Sequence, residues 1–204
     1  LAAQGPSRKQ NSYRRRSGTL LLSSGTTFLI FNTIAEASYP NYSVRTNALS
    51  DLGAVGAPTR FFWDGQLFVV GVLAFLGMYF LFIKNGWPAP ISRSRLTAAI
   101  FLLPAVGTII VSLFPENFVL GVHGLGALTA FVFGGVSEIY AYRMTKSPFR
   151  YFSAILGMVT FTAIVLLGTA TTMFGFGLIE RMIVYPLFIW EIALGSYLMA
   201  LPAA

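Results

Sequence analysis

The chain has no cysteine, a single histidine and only seven acidic residues among 204, and each scarcity removes a class of chemistry. Without cysteine there is no disulfide, no thiolate nucleophile, no iron–sulfur ligation and no cysteine-based zinc site. One imidazole, His123, excludes bis-histidine haem and the paired-histidine metal helix. Charged residues make up 10% of the sequence, whereas 55% is hydrophobic and 15% aromatic, and the mean hydropathy is +0.70. That balance belongs to an integral membrane protein rather than a soluble domain.

The net charge is nevertheless +7. In a soluble chain this would suggest nucleic acid, but here the basic residues sit in short clusters between apolar runs, so membrane lipids are the expected partners and nucleic acid is not. Six runs are long enough to cross a hydrocarbon core of roughly 30 Å, at about residues 18–36, 61–83, 96–114, 119–142, 151–173 and 180–201. They are continuous rather than alternating, which argues against a closed β-barrel. The expected fold is all-α, a bundle of six transmembrane helices with a long outer loop between helices 1 and 2. Residues 1–17, with "GPSRKQNSYRRRSG", read as a basic, turn-prone tail on the membrane surface, and 18–204 as the membrane domain. A cleaved secretory signal is not expected, because the apolar run after the arginines is too long and lacks a clear A-x-A site.

Sidedness follows from the lysines and arginines. Arg8, Lys9, Arg14, Arg15, Arg16, Lys84, Arg93, Arg95, Arg143, Lys146 and Arg150 fall on one side, and Arg45, Arg60 and Arg181 on the other. Both termini are expected in the cytoplasm of a multi-pass cell-membrane protein, with the loop at 37–60 extracellular. Glu36, Asp51, Asp64, Glu116 and Glu180 share that outer side, where they either pair with the three arginines and pin the loop or belong to a ligand site.

Two membrane-embedded groups stand apart. His123 opens span four, and Ala127, Ala130 and Gly134 lie within about 40° of it on the helical wheel, a small-residue stripe of the kind that packs against other helices. It is expected near Glu116, bonded to a carboxylate or carbonyl, or serving as a proton acceptor or one metal ligand. In span six, Glu180 and Glu191 differ by only about 20° in direction and ~16 Å in height, which puts Glu191 near the bilayer midplane. A carboxylate there is a candidate proton relay or ordinary interhelical glue. Glu138 lies near the inner boundary, where snorkelling or a pair with Arg143 would suffice.

No phosphate-loop sequence is present, so "GTATTMFGFG" reads as a tight turn between helices. No G-x-S-x-G elbow is present either, although Ser50, Asp51 and His123 have the residue types of a hydrolase triad. Asn47 is placed to cap a short helical turn that Gly53 would end.

"NALSDLG" in the first loop, "FPEN" after span three, "HGLGA" opening span four and "GLIER" opening span six occur in this order on one side of the predicted bundle. In these motifs, and in its six spans, the chain from about residue 18 onward resembles the domain-of-unknown-function 998 family. The resemblance implies no activity; it marks Asn47, Ser50, Asp51, Glu116, His123 and Arg181 as the positions to suspect, and the basic tail lies outside the family pattern.

Three functions fit these residues. The first is a structural or accessory membrane subunit, alone or with a membrane-protein partner or a second copy, whose outer polar motifs lock the first loop. The second is an outward-facing polar pocket for a lipid head group or small polar ligand, built from Arg45, Asn47, Ser50, Asp51, Glu116, His123, Glu180 and Arg181. In an enzymatic version His123, Asp51 and Glu116 are the catalytic candidates, His123 and Glu116 the candidate metal ligands, and Arg45 or Arg181 the phosphate holder. The third is a small proton-coupled transporter using Glu191. No particular cofactor is indicated.

Overall fold

The structure is a computed structural model describing residues 7–87 and 94–202. Arg93 and the first six residues of the N-terminal tail, both used above, lie outside the described residues. Six helices are long and apolar enough to cross a membrane. They are α1 (Arg8–Ser38), α2 (Arg60–Met78, continued by a π-helical turn at Tyr79–Ile83), α3 (Arg95–Leu113), α4 (Leu120–Ala141), α5 (Phe149–Thr169) and α7 (Phe176–Ala200); one turn of helix, α6 (Thr171–Phe174), precedes α7. The described residues contain no strand.

From Arg8 onward the basic segment before the first apolar run is helical rather than turn-prone. Helix α1 begins at Arg8, where the Ser7 side chain accepts from the Gln10 N–H at 3.2 Å, and the arginines, lysine and glutamine that follow favour helix. Arg14 turns inward, is buried, and donates at 2.9 Å to the carbonyls of both Leu201 and Pro202. These carbonyls follow the end of α7, where the helix has no N–H left to offer. The extension of α1 is thereby fastened to the rest of the bundle.

The helices form a closed ring in chain order: α1 packs on α2, α2 on α3, α3 on α4, α4 on α5, α5 on α7 and α7 back on α1. Helices α4 and α7 also touch across the middle. Lipid tails are as apolar as leucine, so helices in a membrane associate through close packing rather than hydrophobic burial. The seam between α1 and α7 shows this. A Cβ on Gly18 would come within 2.8 Å of the Gly195 carbonyl oxygen, and one on Gly195 within 2.6 Å of the Gly18 carbonyl oxygen. Only glycine at both positions allows the two backbones to approach so nearly.

Two apolar clusters fill the ring. One holds Leu21, Met78, Phe82, Phe101, Trp190 and Leu198. The other holds Phe28, Leu52, Trp63, Leu67, Val184 and Phe188 beneath the connection between α1 and α2, with the Phe28 and Phe188 rings stacked 3.7 Å apart. Phe61, Leu96, Phe118 and Val165 are exposed on the outside, as expected of side chains whose solvent is hydrocarbon.

Candidate functional site

Residues 39–59 fold across one end of the bundle, and most of the polar side chains in them are tied down. The Tyr42 hydroxyl donates to the Ala48 carbonyl at 2.6 Å. Asn47 accepts from the Ser43 N–H at 3.0 Å and donates to Asp51 Oδ2 at 2.8 Å, while the Ala48 N–H donates to that same oxygen at 3.0 Å. Asp51 thus organises the turn from inside it. The helical turn is a 3₁₀ turn over Ser50–Gly53 that follows Leu49. It ends at Gly53 as expected, but Asn47 is not its cap, because the Asn47 side chain is already bonded to Ser43 and Asp51.

Bonds from outside then hold this turn against the helices. The Leu49 N–H donates to Glu180 Oε2, the Ser50 hydroxyl donates to Glu116 Oε2 at 2.5 Å, and Asn117 exchanges bonds of 2.8 and 3.1 Å with the Val55 backbone. Arg45 donates to the Met173 carbonyl at 3.1 Å, and its own carbonyl accepts from the Leu178 N–H at 3.2 Å. The turn into α7 fits against that carbonyl because Gly175, at φ +90, adopts a backbone conformation that side chains disfavour. A Cβ on Gly177 would collide with the Asn47 carbonyl oxygen.

Arg181 is the hub. It is only 4% exposed, and its guanidinium donates to the Val44, Asn47 and Gly177 carbonyls at 3.0, 3.1 and 2.7 Å and to the Tyr42 hydroxyl at 2.6 Å. Two of its nitrogens also meet Glu36 Oε1, at 3.1 and 2.8 Å. Asn32 and Tyr185 donate to that same carboxylate oxygen, and Trp63 Nε1 donates to Asn32 Oδ1 at 3.1 Å, so the network runs on into α2. Burial pushes the Tyr42 hydroxyl pKa up, against the pull of Arg181. Burial likewise raises the Glu116 carboxyl; the Ser50 bond opposes this and neighbouring Asp51 reinforces it.

Below the clasped turn lies a cavity of about 60 Å³, room for roughly four water molecules. Its walls are mostly apolar, from Phe28, Trp63, Phe131 and Leu187 among others, and its polar edge is Ser50, Thr108, His123 and Glu180. Ala127 and Ala130 of the small-residue stripe also line it, while Gly134 packs against Leu187 of α7. The stripe serves both purposes, because the backbone at Ala130 also meets α3, where a Cβ on Gly107 would lie 2.6 Å from the Ala130 nitrogen. Among the acceptors, Ser50 and Thr108 carry hydroxyls that already donate, to Glu116 and the Pro104 carbonyl. His123 is different. Its Nδ1 lies 2.7 Å from the Phe114 carbonyl, which can only accept, so Nδ1 carries the proton and the neutral ring is left with Nε2 as a bare acceptor. Nε2 has no hydrogen-bond partner among the described residues.

Several expected groupings do not assemble. Ser50 and His123 both border the cavity, but the hydroxyl is bonded to Glu116 and the ring to Phe114, so no hydrolase triad with Asp51 is formed. His123 and Glu116 are not hydrogen-bonded to each other, and among the described residues no group of three or more His, Asp or Glu could hold a metal ion. Of the three arginines on this side, Arg181 pairs with Glu36 and Arg60 with Asp64 at 3.7 Å, whereas Arg45 makes a carbonyl bond instead. Glu138 neither snorkels nor pairs with Arg143: it is fully buried, and Thr160 donates to its Oε2 at 2.9 Å. The neighbouring helix offers a hydroxyl where the aqueous boundary was expected. Glu191 faces Ser24 and borders a second cavity of about 20 Å³, while its Oε2 has no partner among the described residues. Leu187 lines both cavities.

Tyr42, Asn32, Trp63 and Asn117 complete the network, and the sequence reading passed over them. Asn32 had a signal, as an amide inside an otherwise apolar run; Asn117 stood within "FPEN". No curated protein and no solved structure matches the chain. Residues 23–197, which contain every motif of the clasp and leave out the basic start of α1, match the model of a protein family of unknown function, DUF998, and the chain belongs to that family.

Proposed function

We propose that the chain is a membrane-embedded binding protein, in which the clasped 39–59 segment is a fixed roof and the cavity beneath it receives the polar end of a largely apolar molecule. The observation that carries this reading is the bare Nε2 of His123 at the edge of an apolar cavity. Glu180 borders the same space and uses only Oε2 on the Leu49 N–H. Two acceptors set in apolar walls suit a hydrogen-bond donor, a hydroxyl or amine, at the end of an acyl or isoprenoid chain. The charge distribution supports an outward-facing roof and cytoplasmic termini in a cell membrane.

Trp63 lines the cavity and reports on it. In nanodiscs, a fatty alcohol brominated next to its hydroxyl-bearing carbon should quench Trp63 fluorescence saturably, with the component lost in Trp63→Phe and in His123→Phe. Equal quenching by the corresponding methyl ether, which has no donor, would overturn the assignment.

The accessory-subunit reading is favoured by a different observation: Arg45, Asn47, Ser50, Asp51, Glu116 and Arg181 all direct polar atoms to partners within the chain. On that reading these residues matter for folding alone. Asp51→Asn and Ser50→Ala would then lower the melting temperature with no separate effect on quenching of the folded fraction.

A further inference from the structure

The opposite end of the bundle carries a groove unrelated to the roofed cavity. It is about 750 Å³ and is lined by Arg8, Asn11, Ser12, Arg15, Arg16 and Thr19, with Leu20 and Phe80 forming its apolar side. The α1 residues recur at intervals of three and four, so they make one stripe along the helix. We propose that this groove binds the phosphate of an anionic phospholipid head group, with the upper part of an acyl chain against Leu20 and Phe80.

Charge and hydrogen-bonding type come first. All seven acids of the sequence lie elsewhere, at positions 36, 51, 64, 116, 138, 180 and 191, and the ion pairs of the described residues are Arg60–Asp64 and Arg181–Glu36. Arg8, Arg15 and Arg16 are exposed, and none donates a hydrogen bond to another described residue. Three uncompensated guanidiniums face one space, and Arg is the residue best shaped to meet phosphate oxygens. Asn11, buried and with its Oδ1 unpartnered among the described residues, and the Ser12 hydroxyl add neutral polar groups between the cations.

Depth decides between a lipid and a soluble phosphate. Arg16 and Glu36 stand at opposite ends of the membrane portion of α1, twenty residues apart, which is about 30 Å of helix and the thickness of a hydrocarbon core. With Glu36 at one boundary, Arg15 and Arg16 reach the phosphate level of the other leaflet, and Arg8 lies about two turns further out. Leu20 lies one turn inside, where acyl chains begin. The Arg16 guanidinium is 5.8 Å from the Phe80 ring centroid, so the cationic and apolar walls of the groove meet.

Rigidity separates this groove from a flexible polybasic tail. Arg14 is anchored on the carbonyls of Leu201 and Pro202, and Gln10 Nε2 donates to the Trp87 carbonyl at 3.4 Å. The intervening turn is thus held by contacts outside α1 while Arg15 and Arg16 point away. The cations are positioned before any lipid arrives, which lowers the ordering cost of binding.

The test is native mass spectrometry of the detergent-purified protein titrated with dioleoylphosphatidylglycerol or dioleoylphosphatidylcholine. The phosphatidylglycerol adduct is expected to dominate and to weaken as salt rises. Its occupancy should fall about tenfold or more in Arg8→Gln/Arg15→Gln/Arg16→Gln but not in the control Arg143→Gln/Lys146→Gln. Melting of the triple variant without lipid checks its fold; should it not fold, Arg15→Gln alone is expected to lower occupancy severalfold. Undiminished phosphatidylglycerol binding in a folded variant, or equal binding of the two lipids, would overturn the proposal. Displacement of the lipid by an equal concentration of sodium phosphate would also overturn it, by showing a site for the free oxyanion.

Discussion

Arg181 and Glu36, 145 residues apart in sequence, close a 2.8 Å ion pair that joins α7 to α1. The same guanidinium holds two carbonyls of the segment that follows α1, at Val44 and Asn47. Removing one partner of a buried, hydrogen-bonded pair leaves the other uncompensated, at a cost of about 3–5 kcal/mol. Arg181→Gln is therefore expected to lower the melting temperature in detergent sharply and to open residues 39–59 to protease. Intact protease resistance in that variant would show that the other bonds suffice.

Two glycines of the same half of the chain are expected to respond in opposite ways. Gly177 is closed off by the Asn47 carbonyl, whereas nothing lies within 4 Å of a Cβ placed on Gly168. Alanine favours helix over glycine by up to about 1 kcal/mol. Gly168→Ala should raise the melting temperature slightly, while Gly177→Ala should lose about 1–3 kcal/mol by overpacking against the loop backbone. The paired melting curves measure the difference.

Acid should tighten the roof. Glu116 has its carboxyl raised above the ordinary value, chiefly by burial, with Asp51 reinforcing the shift and the Ser50 bond opposing it. A group raised on folding contributes stability that is fully present below its unfolded pKa and is lost as the pH climbs through its folded one. Hydrogen exchange at residues 48–52 is expected to slow on acidification towards the ordinary glutamate range and to quicken above it. In Glu116→Gln this component of the dependence should disappear. An unchanged profile would show that Glu116 does not govern the pH response of the turn.

Leu187 is expected to control access to Glu191. It separates the 60 Å³ cavity under the roof from the 20 Å³ cavity at Glu191. Leu187→Ala merges them, at a cost of about 2 kcal/mol, the low end of the range for leucine truncation because the side chain is only partly enclosed. Reaction of Glu191 with a hydrophobic carbodiimide should become faster in this variant, read by peptide mapping. If the proton-coupled reading of Glu191 holds, Glu191→Gln in proteoliposomes also abolishes proton flux, whereas unchanged flux removes that reading.

The six spans were legible because length and hydropathy alone decide what can cross a bilayer, and the ends were found within a few residues except at α1. There the arginines read as solvated tail, although Arg, Lys and Gln are good helix formers and Arg14 had carbonyls to cap at the far end of the chain. "NALSDLG" was legible as a place where polar groups collect. What they bond to was not, because Asn47 and Asp51 satisfy each other locally while Arg181 reaches the Asn47 carbonyl from α7. The free nitrogen of His123 was hidden for a related reason: it depends on which acceptor takes Nδ1, and the Phe114 carbonyl leaves no mark in the sequence. Glu138 was misread because its partner, Thr160, is on another helix.

The closed ring has a consequence for how the protein is made. Spans leave the ribosome in order, but α1 finds its α7 neighbour only after the five other spans of the ring have been synthesised, and Arg181 and Glu180 arrive with α7. Until then five inserted helices would surround an open seam, with Gly18 and Gly25 bare along α1 and the turn at 47–53 unsupported. The ring is thus completed only by α7, and a chain cut short before it presents quality-control proteases with an unfinished wall rather than a smaller bundle.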